Sequence, residues 1–227
     1  MFPIRDSIPY HGPALATKAL IGINVVVFFL QNSLGPEGFQ RLLFEYGLIP
    51  WLFFNDPVSE GYRLITSLFL HGSWAHILGN MWFLWVFGPA LEGRMGPGRY
   101  LSFYLLSGLA AALAQAFVDP LSRVPMVGAS GAISGVLGGY FVLFPTAWVL
   151  TVAWLVLPWF FWLPAATYLG YWALLQVFYG LLGLPGVAWW AHLGGFGAGA
   201  LLVNVFVRRR RYQVEPYWWA WHVYPMR

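Results

Sequence analysis

Long apolar runs, each closed by a short polar or Gly/Pro-containing break, divide this chain from end to end. They lie at about 16–31, 74–91, 100–118, 128–144, 165–182 and 188–207. Each approaches the roughly 20 residues an α-helix needs to cross a hydrocarbon layer about 30 Å thick. The pattern predicts an all-α protein, a polytopic bundle of six transmembrane helices. Residues 32–73 are different, because Glu37, Arg41, Glu45, Asp56, Glu60 and Arg63 alternate with apolar clusters. Such a segment is too charged to cross and too apolar to float free, so helices lying in the membrane interface are expected there. One further apolar run, 146–163, is broken by Pro145, Pro158 and Pro164. A proline inside a helix costs about 3 kcal/mol or more, so this run reads as an interfacial or re-entrant segment rather than a seventh span.

Composition agrees with a membrane chain. Of 227 residues, 59% are hydrophobic and 9% charged, with mean hydropathy +0.65; a soluble domain carries about 25% charged residues. The 14 Trp and 12 Tyr suit a protein with many helix ends at membrane surfaces. Cysteine is absent, which excludes disulfides, thiolate metal sites and a cysteine nucleophile. The net charge of +4 comes largely from Arg208 to Arg211 and reads as a topology and lipid signal, not a nucleic-acid surface. Residues 1–13 hold Pro3, Pro9 and Pro13 and lack the apolar core of a cleavable signal. The expected organisation is an N-terminal tail at 1–13, a core at 14–207 and a basic tail at 208–227. His11 and His222 fall in the tails and receive no role.

Polar residues inside apolar runs are the candidates for chemistry, because a polar side chain in a bilayer normally faces a protein interior or a wet cavity. Gly128-Ala-Ser-Gly-Ala-Ile-Ser-Gly135 opens the fourth run and puts Ser130 in a first helical turn. Backbone N–H groups there lack intrahelical partners and favour a nearby anion. Gly131, Gly135 and Gly139 recur every four residues, leaving one helix face bare for close approach. Ala191, Gly195 and Gly199 repeat that spacing on the last run, with His192 beside the stripe. With six spans these two helices run parallel, and Ser130 and His192 lie near one membrane surface; a seventh span would set them at opposite depths. On the second run His76 and Asn80 are four apart and share a face, and His71 lies just before it.

Taken singly, each of these has an ordinary structural explanation: a serine caps or packs, an amide ties helices together, glycines pack. Taken in order, they form a set. Gly128-Ala-Ser-Gly131, His76-x3-Asn80 on an earlier span and Ala191-His192 before a glycine-rich run resemble the rhomboid family of intramembrane serine proteases. Tyr62-Arg63 is similar to that family's aromatic–arginine pair in the first loop. Glu92-Gly-Arg94 is similar to its Glu-x-Arg element after the second span, and His71 to a further loop histidine. The likeness covers about residues 14–207. The chain departs from it at Ser134, where some members carry a tyrosine that packs on the histidine ring.

The resemblance implies a Ser130 nucleophile and a His192 general base and acid. It implies an oxyanion site made by the Ser130 backbone N–H with His76 and Asn80, and supporting roles for Gly128, Gly131, Gly195 and Gly199. No metal or other cofactor is expected. The implied partners are single-span membrane substrates cut near the outer end of their span, and the lipid bilayer, with no nucleic acid. The implied location is a bacterial inner membrane with both termini cytoplasmic and the site opening outward, which places 146–163 on the cytoplasmic face. No Asp or Glu lies in the apolar core to orient His192; Asp119, in a loop after the third run, is the candidate weighed for a third member. A proteolytically inactive relative that retains transmembrane clients is the alternative, although both Ser130 and His192 are present. An intramembrane metalloprotease would need a set such as His-Glu-x-x-His, which is missing. A transporter would carry paired midplane charges and repeated halves, which are also missing.

Overall fold

The computed structural model describes residues 1–9, 12–154 and 157–207. His11, His222 and the basic tail 208–227 with Arg208 to Arg211 lie outside the described residues. The elements in chain order are β1 (Phe2–Asp6), α1 (Leu15–Ser33), α2 (Gly35–Tyr46), α3 (Pro50–Asn55), α4 (Pro57–Glu60), α5 (Arg63–Thr66), α6 (Trp74–Met95), α7 (Pro97–Val118), α8 (Ser130–Leu143), β2 (Trp148–Trp154), β3 (Pro158–Pro164), α9 (Ala165–Leu181) and α10 (Trp189–Phe206). Among the described residues, α1 and α7 are each long and apolar enough to cross a bilayer on their own; α8 is a shorter apolar helix of 14 residues.

Local chemistry sets the helix boundaries. The backbone N–H groups of Ala16 and Thr17 donate to the Glu92 carboxylate at 2.9 and 2.8 Å, and the Thr17 hydroxyl donates to it at 2.8 Å. A carboxylate there meets the orphan donors and the positive dipole end of α1, and it ties the start of α1 to the far end of α6. At the opposite end of α6, the Ser73 hydroxyl accepts from the His76 N–H at 3.2 Å as an N-cap. Gly96 at φ +78° ends α6, and Pro97 opens α7 at once.

α8 is the axis of the molecule. Every residue from Gly131 to Tyr140 is buried, which suits a helix that is apolar all round. Its glycines receive α10: a Cβ on Gly195 would stand 2.1 Å from the Gly131 carbonyl oxygen, and one on Gly199 would stand 1.9 Å from that of Gly135. Both pairs are offset by the same number of residues, so α8 and α10 run parallel with their glycine stripes in register. Around them Phe87, Phe103, Tyr100, Tyr104 and Tyr140 are fully buried.

An all-α fold is corrected by a three-stranded antiparallel sheet ordered β1-β2-β3. Trp148 pairs with Pro164 and Trp154 with Pro158. The backbone N–H of Ala165 donates to Ala147 O at 2.7 Å. The run at 146–163 is therefore a hairpin that leaves and rejoins the bundle at one end, where α8 stops and α9 begins. Two of the prolines that break a helix here, Pro158 and Pro164, bound strand β3. β1 comes from the N-terminal tail and locks onto the bundle. The Trp82 indole N–H donates to Pro3 O at 2.5 Å, and the Tyr140 hydroxyl donates to Asp6 Oδ2 at 2.8 Å. Val149 and Val152 are buried, while Trp154, Trp159 and Phe160 are exposed.

Residues 32–73 fold as the short helices α2 to α5. Their hub is Arg63, which pairs with Glu60, donates to Phe44 O and Gly47 O at 2.5 and 3.0 Å, and lies 5.3 Å from the Tyr62 ring centroid. The Tyr62 hydroxyl donates to Glu45 O at 2.8 Å. The aromatic–arginine pair therefore organises this segment from its side chains outward.

Candidate active site

One cavity of about 550 Å³ collects side chains from four parts of the bundle: His76 and Asn80 from α6, Ser130 from α8, Trp172 from α9 and His192 from α10. Of the residues expected from the sequence, His76, Asn80, Ser130 and His192 are brought together. Asp119 is not; it closes the end of α7 and is exposed.

The α6 wall and the α8 start meet at Gly128. Its φ of +125° favours glycine, and a Cβ there would stand 2.7 Å from the His76 ring. The Gly128 N–H is fixed to Ser67 O at 2.9 Å. Asn80 Nδ2, one turn further along α6, would lie 3.7 Å from that same Cβ position. Asn80 is 8% exposed, and its Nδ2 has no hydrogen-bond acceptor among the described residues. A buried donor without an acceptor is costly, and this one lines the cavity. His71 stands behind His76 with ring centroids 5.1 Å apart, and the Gln31 amide grips its backbone on both sides, at 3.3 Å to O and 3.2 Å from N. Burial, with the neighbouring His76 adding to it, pushes the His71 imidazole down to about 3.

Ser130 is the first residue of α8 and is half-buried. The first bond of that helix runs from the Ile133 N–H to Ala129 O at 3.0 Å, so the N–H groups of residues 130–132 precede the ladder. The Ser134 hydroxyl turns back to donate to Ser130 O at 2.7 Å, so Ser134 supports the helix start and does not touch the histidine.

What holds His192 comes from elsewhere. Its Nδ1 lies 2.8 Å from Gln176 Oε1, the Trp172 ring packs at 5.9 Å and 33°, and the Trp189 edge packs at 6.2 Å and 87°. The Ala191 N–H donates to Gln115 Oε1 of α7 at 3.3 Å, which pins the start of α10. Gln176 is a His192 partner that charge and spacing do not single out, although a lone amide in an apolar run carries the same signal as Asn80. Among the described residues, Ser130 Oγ and His192 are not directly hydrogen-bonded; such contacts commonly tighten only when substrate is bound.

The chemistry of the group is clear from its parts. A hydroxyl, an imidazole, an amide donor without an acceptor among the described residues and the first residue of α8 share one recess with the apolar side chains of Phe83, Leu137 and Trp172. Known proteins place the whole in context. A family model described as Rhomboid domain matches residues 58–209. Rhomboid protein 1, mitochondrial, of Saccharomyces cerevisiae is 37% identical over 142 residues, covering 61% of this chain and 39% of that protein. Rhomboid protease GluP of Bacillus subtilis is 33% identical over 130 residues, 56% of this chain and 24% of its own length. Rhomboid protease GlpG of Klebsiella pneumoniae is 30% identical over 130 residues, 57% of this chain and 44% of its own. The matches thus span 24% to 44% of the length of these relatives. With its family model covering the run from the first-loop helices through α10, and these relatives aligned to more than half of it, the chain belongs to the rhomboid family.

Proposed function

We propose that the protein is an intramembrane serine endopeptidase that cuts membrane-anchored proteins near the outer end of their transmembrane segment. The observation that carries this reading is the convergence of Ser130, His192, His76 and Asn80 on one cavity, with α8 and α10 parallel and packed backbone to backbone.

A serine hydroxyl is a weak nucleophile at neutral pH and needs a base within reach; neutral imidazole suits that role. As Ser130 Oγ bonds to the scissile carbonyl carbon, its proton passes to His192. The carbonyl oxygen becomes an oxyanion, received by the Ser130 backbone N–H at the positive end of α8 and by Asn80 Nδ2 and His76. His192 then gives the proton to the departing amine. Water attacks the acyl-serine by the same route and frees Ser130. A substrate helix must unwind to expose its carbonyl, so helix-weakening residues below the cut favour cleavage.

The topology follows from the same elements. Six spans (α1, α6, α7, α8, α9 and α10) place the start of α1 and the end of α6 on one side, as the Glu92 clamp requires. Arg5, Lys18, Arg94 and Arg99 gather at that end, with the hairpin β2–β3, and mark it as cytoplasmic by the positive-inside rule. The cavity then opens to the outer side, as in a bacterial plasma membrane. Residues 14–207 form the catalytic core, with 1–13 and 208–227 as its tails. Purified protein in liposomes with a single-span substrate tests the reading. Cleavage blocked by a serine-directed phosphonate and indifferent to chelator supports it; inhibition by chelator, reversed by zinc, contradicts it.

A further inference from the structure

Among the described residues, the polar side chain bonded to the Nδ1 edge of His192 belongs to α9. Gln176 is 5% exposed, about two-thirds of the way along an apolar helix. Both ends of its amide are used: Nε2 donates to Trp172 O at 3.1 Å, and Oε1 lies 2.8 Å from His192 Nδ1. The two ends of a carboxamide are told apart by their partners. A backbone carbonyl oxygen only accepts, so the end facing Trp172 O is the NH2 group and the end facing His192 is oxygen. That oxygen also only accepts. The hydrogen in the Gln176–His192 contact therefore sits on Nδ1, and neutral imidazole then has its lone pair on Nε2.

We infer that Gln176 is a positioning residue that fixes the tautomer and orientation of His192, so that Nε2 is the nitrogen offered to Ser130. The inference rests on His192 being the general base. As Ser130 Oγ bonds to the substrate carbon, its proton arrives at Nε2, Nδ1–H keeps donating to Gln176 Oε1, and the Nε2 proton leaves on the amine. Trp172 covers one face of the imidazole, so amide and indole together remove both the freedom to flip and the freedom to tilt. A neutral amide suits this place. A carboxylate buried in a span is expensive, whereas an amide with both ends satisfied leaves no polar atom unpaired. The ring contact that Ser134 does not supply thereby comes from α9.

The competing role is interhelical glue between α9 and α10, which predicts lost stability and a normal rate. The test uses the detergent-purified full chain with Gln176→Leu, which keeps the bulk and removes the acceptor, and Gln176→Glu, whose neutral carboxyl keeps an acceptor oxygen at the same reach and an O–H to donate to Trp172 O. Gln176→Leu is expected to lower kcat roughly 10- to 100-fold, the range seen when the partner of a histidine's second nitrogen is removed from a metal site. KM and the unfolding midpoint should stay near wild type, and Gln176→Glu should recover most of the loss. Nitrogen-15 spectra of histidine-labelled protein should show the His192 hydrogen on Nδ1 in wild type and shared between the nitrogens in Gln176→Leu. The same spectrum taken in a Ser130→Ala background reads the tautomer without activity. Cleavage by Ser130→Ala would defeat the protease reading while leaving the tautomer assignment standing. Wild-type kcat in folded Gln176→Leu, equal losses in the Leu and Glu variants, or an Nε2-bound hydrogen in wild type would each overturn the role of Gln176.

Discussion

Replacing Gly199 with alanine tests whether the spacing of α8 and α10 sets the catalytic geometry. The new Cβ would lie 1.9 Å from Gly135 O and 2.6 Å from both Gly135 C and Gly135 Cα. All three are backbone atoms, so no rotamer change relieves the clash. Restoring even a 3.0 Å separation from the oxygen needs a displacement of about 1.1 Å, which the helices can supply only by moving apart. His192 rides on α10 two turns before Gly199, and Ser130 opens the helix that α10 must leave. Overpacking of this kind typically costs about 1–3 kcal/mol of stability, which leaves a folded protein, whereas a misplacement of about 1 Å between reacting groups costs on the order of 10²-fold in rate. The control is Gly197→Ala on the same helix, whose Cβ would meet nothing within 4 Å. Both variants would be purified, their unfolding midpoints measured, and kcat determined on a single-span substrate per folded molecule. Gly199→Ala should lose roughly 10²-fold in kcat while Gly197→Ala stays within a few-fold of wild type. Equal kcat in the two variants would refute the dependence of the site on this helix contact.

Asn80→Ala should lower kcat by roughly 10²- to 10³-fold with KM nearly unchanged, as expected for an oxyanion donor; a folded variant with normal kcat and reduced stability would make Asn80 a packing residue instead. Single cysteines at Gly183 and Thr146 in this cysteine-free chain should separate the two faces: an impermeant thiol reagent on intact cells should label Gly183→Cys and spare Thr146→Cys, and labelling of both would overturn the six-span topology. Folding stability should depend on His71 at mildly acid pH. Its imidazole ordinarily titrates at 6.5 and is pushed down to about 3 in the fold, so between those values the unfolded chain binds the extra proton and stability falls as pH falls, by at most about 1.4 kcal/mol per pH unit. Asp6, pushed up by burial from 3.8 to about 6, acts in the opposite sense, so the readout is the difference between chains. The unfolding midpoint of wild type should drop more steeply from pH 6.5 to 4.5 than that of His71→Leu, and parallel curves would contradict the assignment.

The helical frame and most of the site are legible in the residues because each rests on a local signal. Apolar runs locate α1, α6, α7, α8, α9 and α10 to within a few residues, and four-residue glycine spacing announces the α8–α10 contact. His76 and Asn80 stand out as polar groups in apolar runs. The sheet is less legible. A continuous apolar run bounded by prolines has no period that separates a strand from a buried helix, and the pairing of β2 with Phe2–Asp6 joins residues almost 150 positions apart. The structure pairs β2 with β3 as antiparallel strands within 146–163, a shape that proline-broken helix logic does not reach. Gln176 is less legible for another reason: its contact with His192 is set by the docking of α9 against α10, and the carboxylate buried on α6, Glu92, is taken by the start of α1.

The central claim is that Ser130 attacks and His192 carries its proton. Its most direct measurement is cleavage of a reconstituted single-span substrate by wild type, Ser130→Ala and His192→Ala, with phosphonate labelling mapped by mass spectrometry on the same samples. Neither substitution opens a large core cavity, so both variants should fold. The account predicts that wild type cleaves and carries the label on Ser130, and that both variants are inactive and unlabelled while melting near wild type. Cleavage surviving in either folded variant, or a label mapping to another residue, would contradict it.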